Sequence, residues 1–360
     1  MAQFTLELTA FRRFQELQLD FKPISLILGP NGVGKSTLLE AVHYLSLGRS
    51  YRTLHDRELI GWESDTARAR LELSELKIER VVSTFGQTFT KQAKHNGGLI
   101  SALNSIGLFH VVLFSPELVE LITGAPRGRR RYLDMILAGT DPTYTASLVG
   151  YQHALKQRNA LLRALTEPNG RALEPWEILL AQEGRVLLKK RHALIDFLAA
   201  RLGENYNRVA IDSRRSIILN YQSTISDPDR YEEHLLAARD RDRENRATTL
   251  GPHRDDMQFK VDGYEASVAT SRGEQRSLLL ALKETELEFV ESKVRDDQII
   301  LLLDDMFSEL DRARSEALEK LIPAHPVMIT ATDAAFISPA LAKRAQIFEL
   351  SFERKPAHVA

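Results

Sequence analysis

The apolar run Ile24 to Leu28 leads directly into Gly29-Pro30-Asn31-Gly32-Val33-Gly34-Lys35-Ser36-Thr37, and Leu38-Leu39-Glu40-Ala41-Val42 follows with the pattern of a helix. Strand, glycine loop and helix in that order commit the chain to an α/β arrangement. The match to GxxxxGK[ST] is complete, and each residue type in it serves to hold a nucleotide triphosphate. Glycines allow positive φ and close backbone approach, so that several amide N–H groups converge on an anion. The helix beyond adds the positive end of its dipole. On this reading Gly29, Asn31, Gly32, Gly34, Lys35, Ser36 and Thr37 form the phosphate loop. Lys35 lies along the β- and γ-phosphates, and the Ser36 hydroxyl is a ligand of Mg²⁺.

A second apolar run, Ile299 to Leu303, ends in Asp304 and Asp305. Strands buried on both faces have this composition, and ligands gather at the carboxyl ends of such strands. Asp304 is expected to share the Mg²⁺ with Ser36, and Asp305 to orient or deprotonate an attacking water. Before this run, Ser271-Arg272-Gly273-Glu274-Gln275-Arg276 opens a helical pattern that continues to Val294. A serine beside glycine at a helix start presents a hydroxyl, amide N–H groups and a dipole to an anion; it also serves as an ordinary helix cap.

A chain of 360 residues exceeds one small core, so one large domain with an insertion, or two domains, is expected. The 48 basic and 49 acidic residues nearly cancel, which restricts any nucleic-acid surface to a local patch. The densest basic cluster is Arg127, Arg129, Arg130 and Arg131, suited to phosphate contacts or, alternatively, to a solvated helix start. Absence of cysteine excludes disulfides, thiolate metal sites and a cysteine nucleophile. The N-terminal sequence lacks a leader pattern and no apolar run reaches membrane-spanning length, so a cytoplasmic protein with no membrane partner is expected.

Strands are predicted at Phe4–Leu8 and Leu17–Phe21, then an antiparallel meander over Ala67–Thr90 with a turn at Asn96-Gly97-Gly98, and a short strand at Val111–Phe114. Helical periodicity covers Glu117–Leu202, broken at Asp141-Pro142 and at Glu167-Pro168-Asn169-Gly170. A strand at Ile217–Tyr221 precedes a charged helix over Tyr231–Asn245, whose alternating run Arg239–Glu244 reads as a solvated face. Strand patterns return at Met257–Val261, Glu265–Val268, Val327–Thr330 and Ile347–Leu350. The expected division is a discontinuous α/β head, 1–116 and 250–360, interrupted by a helical arm, 117–249.

Taken in order, the phosphate loop, Ser-x-Gly-x-Gln, the Asp-Asp strand and Ser308-Glu309-Leu310-Asp311 resemble an ABC-type ATPase head. Phe114-Ser115-Pro116-Glu117, Arg129-Arg130-Arg131-Tyr132-Leu133-Asp134, Leu250-Gly251-Pro252-His253-Arg254-Asp255-Asp256 and Leu303 to Asp311 resemble, more narrowly, the RecF family of DNA repair proteins. No long heptad coiled coil splits the chain, unlike the SMC-like relatives.

The resemblance implies an ABC-ATPase-like head with a mixed sheet and an antiparallel β meander, plus an inserted, mainly helical arm. It implies ATP and Mg²⁺ as ligands and slow hydrolysis, with Lys35, Asp304 and Asp305 as catalytic residues. It also implies an ATP-dependent homodimer in which the signature Ser271, Gly273 and Gln275 faces the nucleotide of the other subunit, with Asp311 at the interface. Arg12 matches an arginine near the phosphates, and Thr330 or Thr332 stands where related ATPases place a switch residue. Implied partners are double-stranded DNA at single-strand/double-strand gap junctions, RecR, RecO and the RecA recombinase. A nucleoid-associated role in DNA repair, replication and the SOS response goes with them. The competing readings are an ATP-hydrolysing transporter subunit and a nucleotide-binding scaffold without turnover.

Overall fold

The computed structural model describes residues 3–164, 170–210, 214–322, 325–352 and 357–359. Two compact units are present: Met1–Val119 with Glu204–Arg214 and Ser271–Ala360, and Glu120–Gly203 with Arg215–Thr270.

Period-two alternation builds the first sheet of the first unit. β1 (Phe4–Phe11) buries Phe4, Leu6 and Leu8, β2 (Phe14–Phe21) buries Leu17, Leu19 and Phe21, and β4 (Thr66–Leu73) buries Ala67, Ala69, Leu71 and Leu73. With β5 (Leu76–Phe85), β6 (Thr88–His95) and β7 (Gly98–Ile100) they form one antiparallel sheet in the order β2-β1-β4-β5-β6-β7. The expected meander is present, and its turn carries Asn96 and Gly97 at positive φ. The apolar face shares a core with Leu38, Leu39, Ala41, Val42 and Leu45 of the phosphate-loop helix, Lys35–Leu47.

The second sheet contains β3 (Ile24–Leu28), β8 (His110–Phe114), β12 (Ile299–Asp304), β13 (Val327–Ala331), β14 (Gln346–Glu349) and β15 (Ala357–Val359), in the order β15-β14-β3-β13-β12-β8. All pairs are parallel except β14 with β15. Both faces are covered, as the apolar runs require. Ile27, Ile300, Leu302, Met328 and Phe348 join the core beneath the first sheet, while Leu26, Leu301, Leu303, Val327 and Ile329 pack with Leu280, Leu287 and Val290 of the helix Arg272–Glu291. Rings of Phe4 and Phe21 stack at 4.9 Å, and Phe21 meets Phe348 at 5.0 Å, joining the two sheets. Each such side chain contributes about 1.5–3 kcal/mol on burial.

Helices Pro126–Thr140 and Pro142–Ala164, and most of Gly170–Val209, form the second unit together with β9 (Ile217–Gln222), β10 (Asp256–Val261) and β11 (Tyr264–Glu265). The break at Asp141 is present; that at Glu167-Pro168-Asn169 lies outside the described residues. Residues 250–270 group with this unit and not with the head, because β10 pairs antiparallel with β9 from Asp256↔Gln222 to Val261↔Ile217. Residues 266–269 form a helical turn where the sequence suggested strand.

The charged segment divides into Tyr231–Ala237 and Arg239–Asn245, and its second half is not a purely solvated face. Asp242 is fully buried, 2.6 Å from Nη1 of Arg158, which is itself fully buried and also donates to Glu177. Arg239 pairs with the same Glu177. Removing a guanidinium from water is costly unless carboxylates surround it, and this cluster meets that requirement.

The segment Gly251-Pro252-His253-Arg254-Asp255-Asp256 is a polar hub of the second unit. Arg191 donates to the Pro252 carbonyl and to Asp134, each at 2.6 Å; Asp255 accepts from Tyr221 at 2.8 Å and from the Thr224 backbone N–H at 2.7 Å. The tyrosine Oη atoms of Tyr151 and Tyr231 lie 3.1 Å apart, and His253 Nδ1 is 2.6 Å from Tyr151 Oη. Gly251, at φ +121°, passes so close that a Cβ there would stand 1.9 Å from Tyr231 Oη and 2.5 Å from Tyr151 Oη. Gly251→Ala should therefore cost at least about 2 kcal/mol of stability, read as a lower urea midpoint by circular dichroism. Burial lowers the His253 pKa from 6.5 to about 4. The unfolded chain binds that proton first, so stability should fall as pH drops from about 6.5 towards 4, and His253→Phe should flatten that part of a urea-versus-pH series.

Candidate nucleotide-binding site

Strand register assembles the site. Asp304 at the end of β12 lies opposite Thr330 of β13, whose next residue, Ala331, pairs with Leu28 at the entrance to the phosphate loop. Gly29 follows at φ +154°, and a Cβ there would stand 2.5 Å from the backbone carbonyl oxygen of Leu350, so the loop requires glycine at its first position. The helix then starts at Lys35.

Ser36 Oγ donates to Asp304 Oδ1 at 2.8 Å, Thr330 Oγ1 donates to the same oxygen at 2.9 Å, and Tyr51 Oη donates to Asp304 Oδ2 at 2.8 Å. Burial, and next the adjacent Asp304 carboxylate, raises the Tyr51 pKa well above its ordinary value, so the phenol stays a donor. Asp305 has φ +52°, with its backbone N–H bonded to Thr330 Oγ1 at 2.9 Å. A non-glycine residue held there is strained, a feature that clusters at functional sites.

Lys35 Nζ donates to the carbonyl oxygens of Gly29 at 2.7 Å and Pro30 at 3.2 Å. Burial lowers its pKa, opposed by the charges of Asp305 and Asp304. A cleft of about 760 Å³ opens over the loop, bordered by Asn31, Gly32, Gly34, Lys35, Ser36, Thr37 and Asp305. Its lining includes five cations, Arg12, Arg13, Lys35, Arg52 and Arg57, against the carboxylates of Glu58 and Asp305. That excess suits a polyanion. A hydroxyl and a carboxylate oxygen 2.8 Å apart at the rim of a cationic phosphate loop are the hard oxygen donors that Mg²⁺ takes alongside phosphates. The residues present thus fit a magnesium nucleotide.

Arg12 is held in place by Glu40, a fully buried carboxylate on the phosphate-loop helix: Nε to Oε2 at 3.1 Å and Nη2 to Oε1 at 2.7 Å. Ser50 donates to Glu40 as well, and Arg52 approaches at 3.5 Å. Arg13 donates to the Gly32 carbonyl oxygen.

The remaining predicted residues stand apart from the cleft lining. Ser271 caps the helix Arg272–Glu291 in a reciprocal box: its Oγ accepts from the Glu274 N–H at 3.3 Å, and Glu274 Oε2 accepts from the Ser271 N–H at 2.8 Å. Glu274 therefore has a structural role. Ser271 remains exposed, with Gly273 and Gln275 half-buried beside it. Asp311 caps the helix Arg312–Glu319 and pairs with Arg314, whose Nε donates to Ser277 Oγ at 2.8 Å. Of the two threonines, Thr330 reaches Asp304, whereas the Thr332 side chain makes no hydrogen bond among the described residues.

The arginine cluster is in part tied down within its own unit. Arg129 makes a bidentate pair with Asp256, both contacts at 2.8 Å, and donates to the Gly124 carbonyl oxygen at 2.7 Å; Arg130 donates to the Asp255 carbonyl oxygen at 2.9 Å. Both guanidinium groups are committed within the second unit, and Arg131 is half-buried. Arg127 is exposed and has no carboxylate partner among the described residues.

Tyr51 and Glu40 were not singled out from sequence. Tyr51 lies in a loop with no pattern to flag it, whereas Glu40 carried a signal as a charge within an otherwise apolar helical stretch.

Cleft, strand order and carboxylate placement define an ABC-type P-loop ATPase head. The same fold appears in the Smc head domain from Pyrococcus furiosus, with a TM-score of 0.56 at 15% identity over 100% of this chain and 97% of that one. An AAA-domain family model matches residues 5–106. The chain is 35% identical to the DNA replication and repair protein RecF of Moorella thermoacetica over 98% of this chain and 95% of that protein. A solved structure of the recombination mediator protein RecF-ATP in the RecFOR pathway superposes with a TM-score of 0.88 at 27% identity, covering 100% of this chain and 98% of that one. The chain belongs to the RecF family of DNA replication and repair proteins. Membership displaces the transporter-subunit reading.

Glu40→Ala should cost about 2 kcal/mol in urea unfolding, because it strips the carboxylate from Arg12, Arg52 and Ser50 at once. Glu40→Gln should recover part of that loss.

Proposed function

We propose that this chain binds ATP with Mg²⁺, pairs with a second copy when ATP is bound and hydrolyses it slowly. The paired form binds double-stranded DNA at single-strand/double-strand gap junctions and helps load the RecA recombinase in repair and replication restart. The observation that carries the nucleotide reading is the Ser36–Asp304 contact at the rim of a cationic phosphate loop, in a member of the RecF family.

Bound Mg²⁺ would neutralise charge on the phosphates, held from the protein side by Ser36 and Asp304. Gly29, Asn31, Gly32, Gly34 and Thr37 supply the loop that receives the phosphates, and Lys35 and Arg12 add positive charge. Asp305 lines the cleft and takes the role of orienting the attacking water or accepting its proton. Aspartate is the shorter acid, which favours slow turnover and hence a long-lived nucleotide-bound state.

The exposed Ser271, with Gly273 and Gln275, is assigned to the γ-phosphate of the opposite subunit. The Asp311–Arg314–Ser277 connection supports a shared role for Asp311 and the signature helix at that interface. Thr330, through its bonds to Asp304 and to the Asp305 N–H, is the favoured switch residue over Thr332. Of the arginine cluster, Arg127 is the candidate phosphate contact. RecR and RecO are the proposed protein partners, acting in the cytoplasm at the nucleoid. No helix among the described residues is long and apolar enough to cross a membrane.

Sedimentation velocity with ATP, with and without gapped duplex DNA, tests the proposal. Wild type should form a dimer that retains DNA, and the retention should weaken as salt rises. Lys35→Ala should weaken ATP binding at least about tenfold. Ser271→Ala should bind ATP normally and remain monomeric, and Asp305→Asn should accumulate as dimer. Normal dimerisation of Ser271→Ala would remove the signature assignment, and an unchanged wild-type monomer would sink the clamp reading.

A further inference from the structure

Trp62 is fully exposed, although indole is among the most costly side chains to leave in water without a partner. It borders the same cleft as Lys35 and the phosphate loop, with Ile60 and Arg57 beside it. Arg57 has no carboxylate partner among the described residues. The cleft lies within the range of about 300–1,000 Å³ typical of sites for whole small-molecule ligands, so it extends beyond what phosphates alone require.

The turn that carries Trp62 is tied down by backbone hydrogen bonds. The Arg12 N–H donates to the Leu59 carbonyl oxygen at 2.7 Å, and the Gly61 N–H donates to the Ala10 carbonyl oxygen at 2.8 Å. Phe11 and Ile60 form a bridge between these two bonds, Leu59 is fully buried, and the Ser64 N–H closes the turn on the Gly61 carbonyl oxygen at 3.1 Å. The indole is therefore presented from a fixed backbone at the border of the cleft. Ordering such a platform on ligand binding costs little, since the backbone is already in place.

We propose that Trp62 is the stacking platform for the base of the bound nucleoside triphosphate. This rests on the nucleotide reading above and extends it from the phosphates to the base. Every base has a π-face, so stacking gives affinity with little sequence preference, and purines gain more than pyrimidines through their larger area. Arg57 extends the same border with a guanidinium that has no carboxylate partner among the described residues. The chain then separates two tasks: the glycine loop holds charge, and the anchored turn holds the aromatic end.

The chain has two tryptophans, and the other, Trp176, lies in the second unit against His153 at 5.6 Å. In full-length Trp176→Phe, emission comes from Trp62 alone. ATP and GTP should quench it, whereas magnesium tripolyphosphate should compete for the site without quenching. Trp62→Ala should lose about tenfold in ATP affinity by calorimetry and keep its tripolyphosphate affinity, and Trp62→Phe should recover most of the loss. Wild type and Trp62→Ala binding ATP equally well would overturn the stacking role while leaving the phosphate site standing. Wild type binding neither ATP nor tripolyphosphate would overturn the nucleotide reading, and the stacking role with it.

Discussion

One carboxylate, that of Asp304, receives hydroxyl hydrogen bonds from three separate segments: Ser36 at the start of the phosphate-loop helix, Tyr51 in the loop beyond it, and Thr330 in the neighbouring strand. A buried carboxylate must be compensated, and here the compensating groups are the parts of the site themselves. The geometry depends on parallel pairing of β3, β13 and β12. A shift of one residue in β12 would turn Asp304 to the other face of the sheet and exchange the two buried apolar sets.

Charge around the cleft is arranged in two tiers. Arg12 and Arg52 share the buried Glu40, which fixes their position and offsets part of their charge, while Arg13, Lys35 and Arg57 border the cleft without a carboxylate salt bridge among the described residues. The helix Arg272–Glu291 is organised similarly by a local device. Glu274 and Ser271 satisfy each other's backbone N–H groups, and Arg314 connects Asp311 to Ser277 on the same helix. A helix start capped this way stays ordered while its serine remains at the surface.

Residues whose chemistry is local were legible in the sequence. The glycine loop, the apolar strand ending in Asp304 and the capped start at Ser271 each announce themselves through spacing and neighbours. What pattern could not supply was the pairing of distant polar groups. Nothing local links Tyr51 to Asp304, and nothing in the run Arg239–Glu244 reveals that Asp242 will be drawn inside by Arg158, 84 residues earlier in the chain. The partners of the arginine cluster are non-local for the same reason, since the Asp256 that engages Arg129 lies 127 residues away. Strand partners are equally non-local. Met257 to Val261 was recognisable as a strand, but its placement in the second unit follows from its pairing with β9.

The central claim is that Ser36 and Asp304 together hold the metal that accompanies the nucleotide. Its most direct measurement is calorimetric titration of ATP with Mg²⁺ and with a chelator, in wild type and in Asp304→Ala. Magnesium should tighten binding to wild type and give little or no tightening in the variant. Equal tightening in both proteins would contradict the claim.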